Sequence, residues 1–193
     1  MDSLVPALIG ALVGGSITIA GWFANYRFAR KRDEENCRRE GTLRHLERQI
    51  EELYGPLWGL VQQSEAIHDV LCQIVPTDAE HRIDHSKFTQ RDAQVMNYFK
   101  DRFFLPINSQ IAELLRSKVY LLESSNIPDS FKSVISHQAQ FESLHHLWKD
   151  EGVSNLGTVI GTGWPRQFNS DVAITLQELR KRYQGNLKQT GRV

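Results

Sequence analysis

The stretch LRHLERQIEELYGPLWGLVQQSEAIHDVLCQI, residues 43–74, decides the fold of this chain. Apolar side chains recur in it at steps of three and four residues, which is the spacing of one face of an α-helix. This helical seam is broken only at Ser64, and its members are Leu43, Leu46, Ile50, Leu53, Leu57, Leu60, Ile67, Leu71 and Ile74. The spacing predicts either one helix of a parallel oligomeric coiled coil or one helix of an intramolecular bundle.

Two further features of this stretch refine that prediction. Tyr54, Trp58 and Val61 widen the apolar stripe beyond the seam, and a wide stripe is typical of a bundle helix. Pro56 has no N–H to donate to the carbonyl of Glu52, so we expect a kink or a break near Tyr54. We therefore favour the bundle, with an interruption inside the seam.

Further apolar patterns downstream predict the remaining helices. They cover residues 91–104, 107–122, 126–148 and 165–183, while the polar residues 76–90 and 151–164 are typical of loops. No strand-like alternation occurs outside residues 153–160. We therefore predict an all-α fold with a bundle of about four to five helices.

A long uncharged stretch precedes the seam. Residues 3–26 contain no charged side chain, and residues 4–24 read LVPALIGALVGGSITIAGWFA. Because ~20 apolar residues in a helix span the ~30 Å hydrocarbon core of a bilayer, we expect a transmembrane helix here that continues into the bundle. The alternatives are a buried core helix and a signal peptide cleaved near Ala20.

A basic cluster directly after this stretch sets the expected orientation. Arg27, Arg30, Lys31 and Arg32 form this juxtamembrane cluster. Positive charges remain on the cytoplasmic side of a membrane, and aromatic rings such as that of Trp22 favour its boundary. We expect a single-pass protein of the cell inner membrane, with its N-terminus outside and its C-terminal domain in the cytoplasm. Membrane lipid is then its first partner.

Small residues recur at four-residue spacing inside the predicted span. They form two neighbouring rows, which consist of Ala7, Gly10, Ala11, Gly14, Gly15 and Thr18. Membrane helices associate through close backbone packing, and rows of this kind permit it. The alternative explanation for these rows is that glycine is frequent in membrane helices in general. We expect a homo-oligomer held in part by this face.

Composition and charge divide the chain into four parts. Residues 1–26 are the transmembrane helix, residues 27–42 a charged helical stalk, residues 43–184 the cytosolic bundle and residues 185–193 a flexible basic tail. Lys plus Arg and Asp plus Glu number 23 each, so the balance of charge does not indicate a nucleic-acid partner. The two cysteines, Cys37 and Cys72, have no metal or redox spacing.

Two histidine pairs are the main candidates for site chemistry. His81 and His85 lie four residues apart, but they fall in a predicted loop and lack further ligands, so we expect a solvated loop rather than a metal site. His145 and His146 are adjacent and point apart on a helix, so we expect one to pack in the interior and the other to meet solvent.

Neither a glycine-rich loop nor a basic helix end adds a clear site. The loop GTVIGTGW, residues 157–164, has no Lys-Ser/Thr pair and does not match G-x-G-x-x-G. Residues 180–182 are basic, which suits a helix C-terminus as well as an acidic partner. We find no nucleophile elbow or paired-carboxylate motif and therefore expect no enzyme, no cofactor and no metal.

Two local patterns carry a resemblance. They are Leu53-Tyr54-Gly55-Pro56-Leu57 and Phe104-Leu105-Pro106-Ile107-Asn108, the second followed by Ile111, Leu114 and Leu115. With the N-terminal stretch, they resemble a loosely defined group of bacterial single-pass membrane proteins with helical cytosolic domains. The resemblance implies an effector role in phage defence, because some proteins of that build have it. It implies no site residues.

The sequence leads to two functional hypotheses. The first is a non-enzymatic, self-associating membrane effector that forms a pore and is gated when its cytosolic domain binds an unidentified ligand or protein. The second is a membrane-tethered adaptor or scaffold whose helical domain docks a protein partner. A hydrolase or nuclease of unrecognised type is a more distant third.

Overall fold

The computed structural model describes residues 4–122, 126–153 and 164–189, with side chains described from residue 21 onward except at Ala24 and Gln189. Across this part of the chain the regular elements are helices, and the only β-type pairing is an isolated bridge between Thr77 and Ile83. The all-α prediction is therefore confirmed. Two compact units make up the chain, Met1–Arg44 and His45–Val193.

The first unit consists, in its described part, of helix α1 (Leu4–Arg48), whose last turn belongs to the second unit. Most side chains described between residues 21 and 42 are exposed. In the described part of the chain, we find no helix with both the length and the apolar character that a membrane crossing requires. The side chains of residues 1–20, on which the predicted span and its rows of small residues rest, lie outside the described ones.

In its described residues, the second unit is a bundle of five further α-helices and four short helical segments. The α-helices are α2 (Gly55–Ile74), α3 (Gln90–Phe99), α4 (Leu105–Ser117), α5 (Asp129–Lys149) and α6 (Arg166–Gln189). The short segments are two π-helices, Gln49–Tyr54 and Lys100–Phe104, and two 3₁₀ turns, His85–Lys87 and Val119–Leu121. Helix α2 packs against α4 and α6, and α5 packs against the same two helices.

The core of the bundle takes up most of the helical seam. Leu46, Leu53 and Leu57 are at most 1% exposed and belong to one hydrophobic cluster with Phe131 and Phe168. Ile50, Leu60 and Ile67 pack against this cluster, Leu43 and Leu71 are also buried, and Ile74 is exposed. Of the two alternatives for the seam, these positions correspond to a helix of an intramolecular bundle.

The expected interruption at Pro56 takes the form of a wider helical turn. Residues Gln49–Tyr54 are π-helical, and the N–H of Gly55 donates to the carbonyl of Ile50, five residues back. Proline removes one backbone donor and crowds the carbonyl four residues before it. A π-turn accommodates both effects without ending the helix, because an N–H group in it donates to the carbonyl five residues back rather than four.

Several helix boundaries differ from those that the sequence predicts. Helix α3 begins after Thr89, whose hydroxyl accepts from the N–H of Asp92 while the Asp92 carboxylate accepts from the N–H of Thr89. This capping box satisfies free donors at the helix start. Helix α6 continues to Gln189, so residues 185–189, predicted to begin a flexible tail, are helical. Gly185 does not end the helix, and no proline follows it before Gln189.

Candidate functional site

An exposed run of aromatic and basic side chains occupies one segment of α1. We call residues 22–32 the aromatic–basic segment. Its aromatic members are Trp22, Phe23, Tyr26 and Phe28, which are 69%, 51%, 54% and 74% exposed. Its basic members, Arg27, Arg30, Lys31 and Arg32, are all exposed. Exposed apolar surface that is concentrated in this way commonly marks an interaction site.

Contacts within the aromatic–basic segment run along the helix. The rings of Trp22 and Tyr26 stack with their centroids 6.0 Å apart. The guanidinium of Arg27 lies 4.9 Å from the centroid of the Phe23 ring, within the range of a cation–π interaction. Arg30 donates to the carboxylate of Glu34 at 3.1 Å. Among the described residues, it is the one basic member of the segment with a carboxylate partner.

A second polar constellation lies between the segment Lys100–Phe104 and α5. The Nε2 atom of His145 is 3.5 Å from an oxygen of Asp101, and Nζ of Lys149 is 3.3 Å from the other oxygen. Nζ of Lys100 lies 4.6 Å from the ring centroid of Phe141. We call Lys100, Asp101, His145 and Lys149 the His145 cluster.

The His145 cluster is buried and incompletely hydrogen-bonded. His145 is 7% exposed, and neither its Nδ1 atom nor the nearer oxygen of Asp101 has a hydrogen-bond partner within the described structure. Burial lowers the pKa of His145, although the Asp101 carboxylate acts in the opposite direction. Burial likewise lowers the pKa of Lys100. Because so little of the imidazole reaches solvent, the cluster is suited to proton-linked stability rather than to work on a substrate.

The neighbouring imidazole behaves differently. His146 is exposed, and its Nδ1 atom lies 2.6 Å from a carboxylate oxygen of Asp150. The prediction that one of the two adjacent histidines packs while the other meets solvent is therefore confirmed. The involvement of Asp101 could not be predicted, since it lies on another helical element and no spacing in the sequence links it to His145.

A third constellation is centred on Glu52 in the segment Gln49–Tyr54. Its carboxylate accepts from Arg48 at 2.8 Å, from Lys118 at 2.8 Å and from the hydroxyl of Tyr120 at 3.3 Å. These hydrogen bonds, first that from Arg48 and then that from Lys118, lower the pKa of Glu52 to about 2. The four-residue spacing of Arg48 and Glu52 is a signal that the sequence offers, whereas the contacts with Lys118 and Tyr120 are tertiary.

One buried amide ties the same segment to the turn after α4. The side chain of Gln49 is fully buried, and its Nε2 atom donates to the carbonyl of Leu121 at 2.7 Å. A buried donor that meets a backbone carbonyl fixes the position of the turn Val119–Leu121, because breaking this bond would leave both groups without water. The Glu52 and Gln49 contacts together hold that turn against the start of the bundle.

The remaining candidates from the sequence do not form a site in the described residues. His81 and His85 are exposed, and the ring of His85 contacts Phe88 with centroids 4.7 Å apart. No group of three or more His, Cys, Asp or Glu side chains in the described part of the chain is placed to hold a metal ion. Residues 180–182 are exposed on α6, and most of the glycine-rich loop, residues 154–163, lies outside the described residues.

Comparisons with known proteins add no relative. No family model, no curated protein and no solved structure matches this chain. The resemblance to bacterial single-pass membrane proteins therefore stays a prediction.

Proposed function

We propose that this chain is a non-enzymatic, self-associating effector of the cell inner membrane, with one membrane span and a helical domain on the cytoplasmic side. Engagement of the helical domain by a ligand or protein would change the association of the spans and make the membrane leak. A role in phage defence fits this scheme. The observation that carries the proposal is the exposure of the aromatic–basic segment immediately after an uncharged stretch.

The exposed rings support an interfacial position for this segment. Trp22 and Phe28 are 69% and 74% exposed. Removal of apolar surface from water gains ~25 cal/mol per Å², so covering these rings would be favourable. Tryptophan and tyrosine concentrate at the boundary between lipid and water because their rings have an apolar body and a polar edge. A bilayer boundary near residues 22–28 would cover these rings and place the uncharged residues 3–21 in the hydrocarbon core.

Self-association is supported by the sequence of that stretch. The two rows of small residues, from Ala7 to Thr18, are of the kind that lets membrane helices approach closely. The helical domain would supply the regulated part. Its described core is continuous through α2, α4, α5 and α6, as expected for a domain that changes position as a unit.

Ion leakage from liposomes tests the effector proposal. The full chain is reconstituted in dye-loaded vesicles, and release is measured before and after addition of lysate fractions from phage-infected cells. We expect dye release from vesicles that contain the wild-type chain after a fraction with the activating ligand or protein has been added. Replacement of Gly10 and Gly14 by Leu should reduce release by at least about tenfold, because bulky side chains separate the rows. Inserted, oligomeric protein that never leaks would contradict the proposal.

A second function, that of an adaptor, is favoured by exposed apolar side chains on the bundle itself. Tyr98, Leu147 and Trp148 are 57%, 42% and 41% exposed, and side chains of this type are enriched where protein partners dock. An unrelated Leu/Ala span distinguishes the two functions. An adaptor should retain its partner and its activity with such a span, whereas an effector that acts through the rows of small residues should lose activity.

A further inference from the structure

We infer that the aromatic–basic segment recognises an anionic lipid surface, so that the chain gathers acidic phospholipid headgroups around itself. This inference rests on the proposed function, because it requires that the preceding stretch is embedded in lipid. It goes beyond that function by naming the chemical class of the lipid and the side chains that select it.

The order of charges along α1 supports this inference. No Asp or Glu occurs between residues 3 and 32, the four basic members lie between residues 27 and 32, and Asp33, Glu34 and Glu35 follow them. At about 1.5 Å per helical residue, the cations lie within ~9 Å of Tyr26 along the axis, whereas the carboxylates begin at ~10 Å. The segment is therefore a layer of positive charge with a layer of negative charge behind it.

Screening makes the nearer layer dominate. The Debye length is ~8 Å at physiological ionic strength, so charges about one such length from the headgroups interact with them much less than charges beside them. Anionic lipids attract Lys and Arg side chains that lie next to the membrane surface. The three carboxylates lie farther from the headgroups than every cation, so they offset only part of the attraction, although they nearly balance the four cations in number.

Side-chain direction brings the cations still closer to the headgroups. Cα–Cβ bonds in a helix tilt toward its N-terminus, which here is the side of the uncharged stretch. Arg27 follows this rule, since its guanidinium lies 4.9 Å from the ring centroid of Phe23, one turn nearer to that stretch. Arg30 instead turns toward Glu34. Arg27, Lys31 and Arg32 have no carboxylate partner among the described residues and are available to phosphate groups.

Lipid analysis of the reconstituted full chain tests the inference. The protein is inserted in vesicles of phosphatidylcholine with a minor share of phosphatidylglycerol and then extracted with its surrounding lipid, which is quantified. We expect phosphatidylglycerol to be enriched about fivefold over the bulk ratio, the factor that the attraction of a single surface cation would give. High salt should reduce the enrichment, because it shortens the screening length.

Matched variants separate the cation layer from overall charge. Combined replacement of Arg27, Arg30, Lys31 and Arg32 by Gln should return the lipid ratio to that of the bulk. The control, Arg180→Gln, Lys181→Gln, Arg182→Gln and Lys188→Gln, removes the same charge from α6 and should keep the enrichment. Combined Asp33→Asn, Glu34→Gln and Glu35→Gln should change it much less than removal of the cations.

Each result decides between the two claims. Wild-type protein that resists alkaline extraction from the vesicles but is surrounded by lipid at the bulk ratio would overturn the inference and leave the proposed function in place. Equal effects of the cation and carboxylate variants would also overturn it. A chain that alkaline extraction removes from the vesicles would overturn the membrane span, and this inference with it.

Discussion

The described part of the bundle contains two π-helical segments, Gln49–Tyr54 and Lys100–Phe104, and each is followed by one residue and then a proline. In each, the residue before the proline donates its N–H five residues back, from Gly55 to Ile50 and from Leu105 to Lys100. The two segments differ in their polar surroundings. Glu52 in the first accepts three side-chain hydrogen bonds, whereas Asp101 in the second leaves one buried oxygen without a partner.

This difference separates a local cause from a tertiary one. Proline removes a donor and crowds the preceding turn wherever it occurs in a helix, so both segments acquire the same backbone geometry. Their side chains then meet different neighbours, namely the turn Val119–Leu121 in the first and helix α5 in the second. The sequence near a proline thus dictates the shape of the turn, and the packing of distant elements dictates its electrostatics.

Core truncation should separate the two segments most strongly. Leu53 and Phe103 occupy equivalent positions, three residues before each proline, but Leu53 is 1% exposed and Phe103 is half-buried. We expect Leu53→Ala to lower the free energy of unfolding by about 2–5 kcal/mol, because it leaves a cavity in the main core. Phe103→Ala should cost about 1–2 kcal/mol, since its site can refill with solvent. Urea denaturation measures both, and equal losses would contradict the comparison.

Glycine should be required directly after the first segment, at the position before the proline, but not at the equivalent position after the second. A Cβ atom on Gly55 would lie 2.6 Å from the carbonyl oxygen of Ile50, whereas Leu105 carries a full side chain at the equivalent position. We expect Gly55→Ala to destabilise the bundle by about 1–3 kcal/mol, because the backbone must shift. Gly59→Ala in the same helix is the matched control. Nothing lies within 4 Å of that position, so we expect a gain of about 0.5–1 kcal/mol.

As the pH is lowered from neutral, the polar contacts of the second segment should affect the free energy of unfolding before those of the first. His145 has a pKa below its ordinary 6.5 in the folded chain, chiefly through burial, with Asp101 opposing and Lys100, Lys149 and His146 adding to the shift. The unfolded chain therefore binds more protons as the pH falls below about 6.5, and that favours unfolding. We expect the free energy of unfolding of the wild type to fall, relative to His145→Gln, as the pH decreases from about 7 through the ordinary pKa of histidine toward the lower pKa of the folded chain.

A second variant sharpens this test. Asp101→Asn removes the carboxylate that raises the pKa of His145, so the histidine should resist protonation more strongly in the folded state. The loss of stability on acidification should then extend to lower pH than in the wild type. Should the wild type and His145→Gln respond to pH in the same way, the His145 cluster would have no proton-linked effect on folding.

The backbone of the bundle could be predicted in good part because its signals are local. The spacing from Leu46 to Leu71 indicates a helix with a buried face, and Pro128 lies directly before α5, as expected. The helix boundary predicted at Pro106 was wrong, because the helical backbone continues from Gln90 to Ser117 through the π-segment Lys100–Phe104. The π-helical form of the two segments cannot be predicted from this spacing. Heptad spacing marks which side chains are buried, and one additional residue in a turn changes that spacing too little to be noticed.

The constellations of polar side chains could be predicted only in their local parts. Arg48 and Glu52 are one turn apart, and adjacent histidines must point apart, so each of these relations can be found in the sequence. The pairing of Asp101 with His145 and of Glu52 with Lys118 depends on how separate elements pack, and the members of the second pair are 66 positions apart in the sequence.

The smallest effect is expected from the ion pairs of the first segment. Hydrogen bonds from Arg48 and Lys118 hold the pKa of Glu52 at about 2, below its ordinary 4.5. An ionised Glu52 therefore stabilises the fold at neutral pH, and this contribution is lost as the pH falls from about 4.5 toward 2. We expect Glu52→Gln to be slightly less stable than the wild type at pH 7, with the difference shrinking in that acid range. Because the partners are solvent-exposed, salt should also reduce the difference.

Glu51→Gln, at an exposed neighbouring position, controls for the loss of one carboxylate at pH 7. A difference between the wild type and Glu52→Gln that stayed constant down to pH 2 would show that these contacts are not formed in solution.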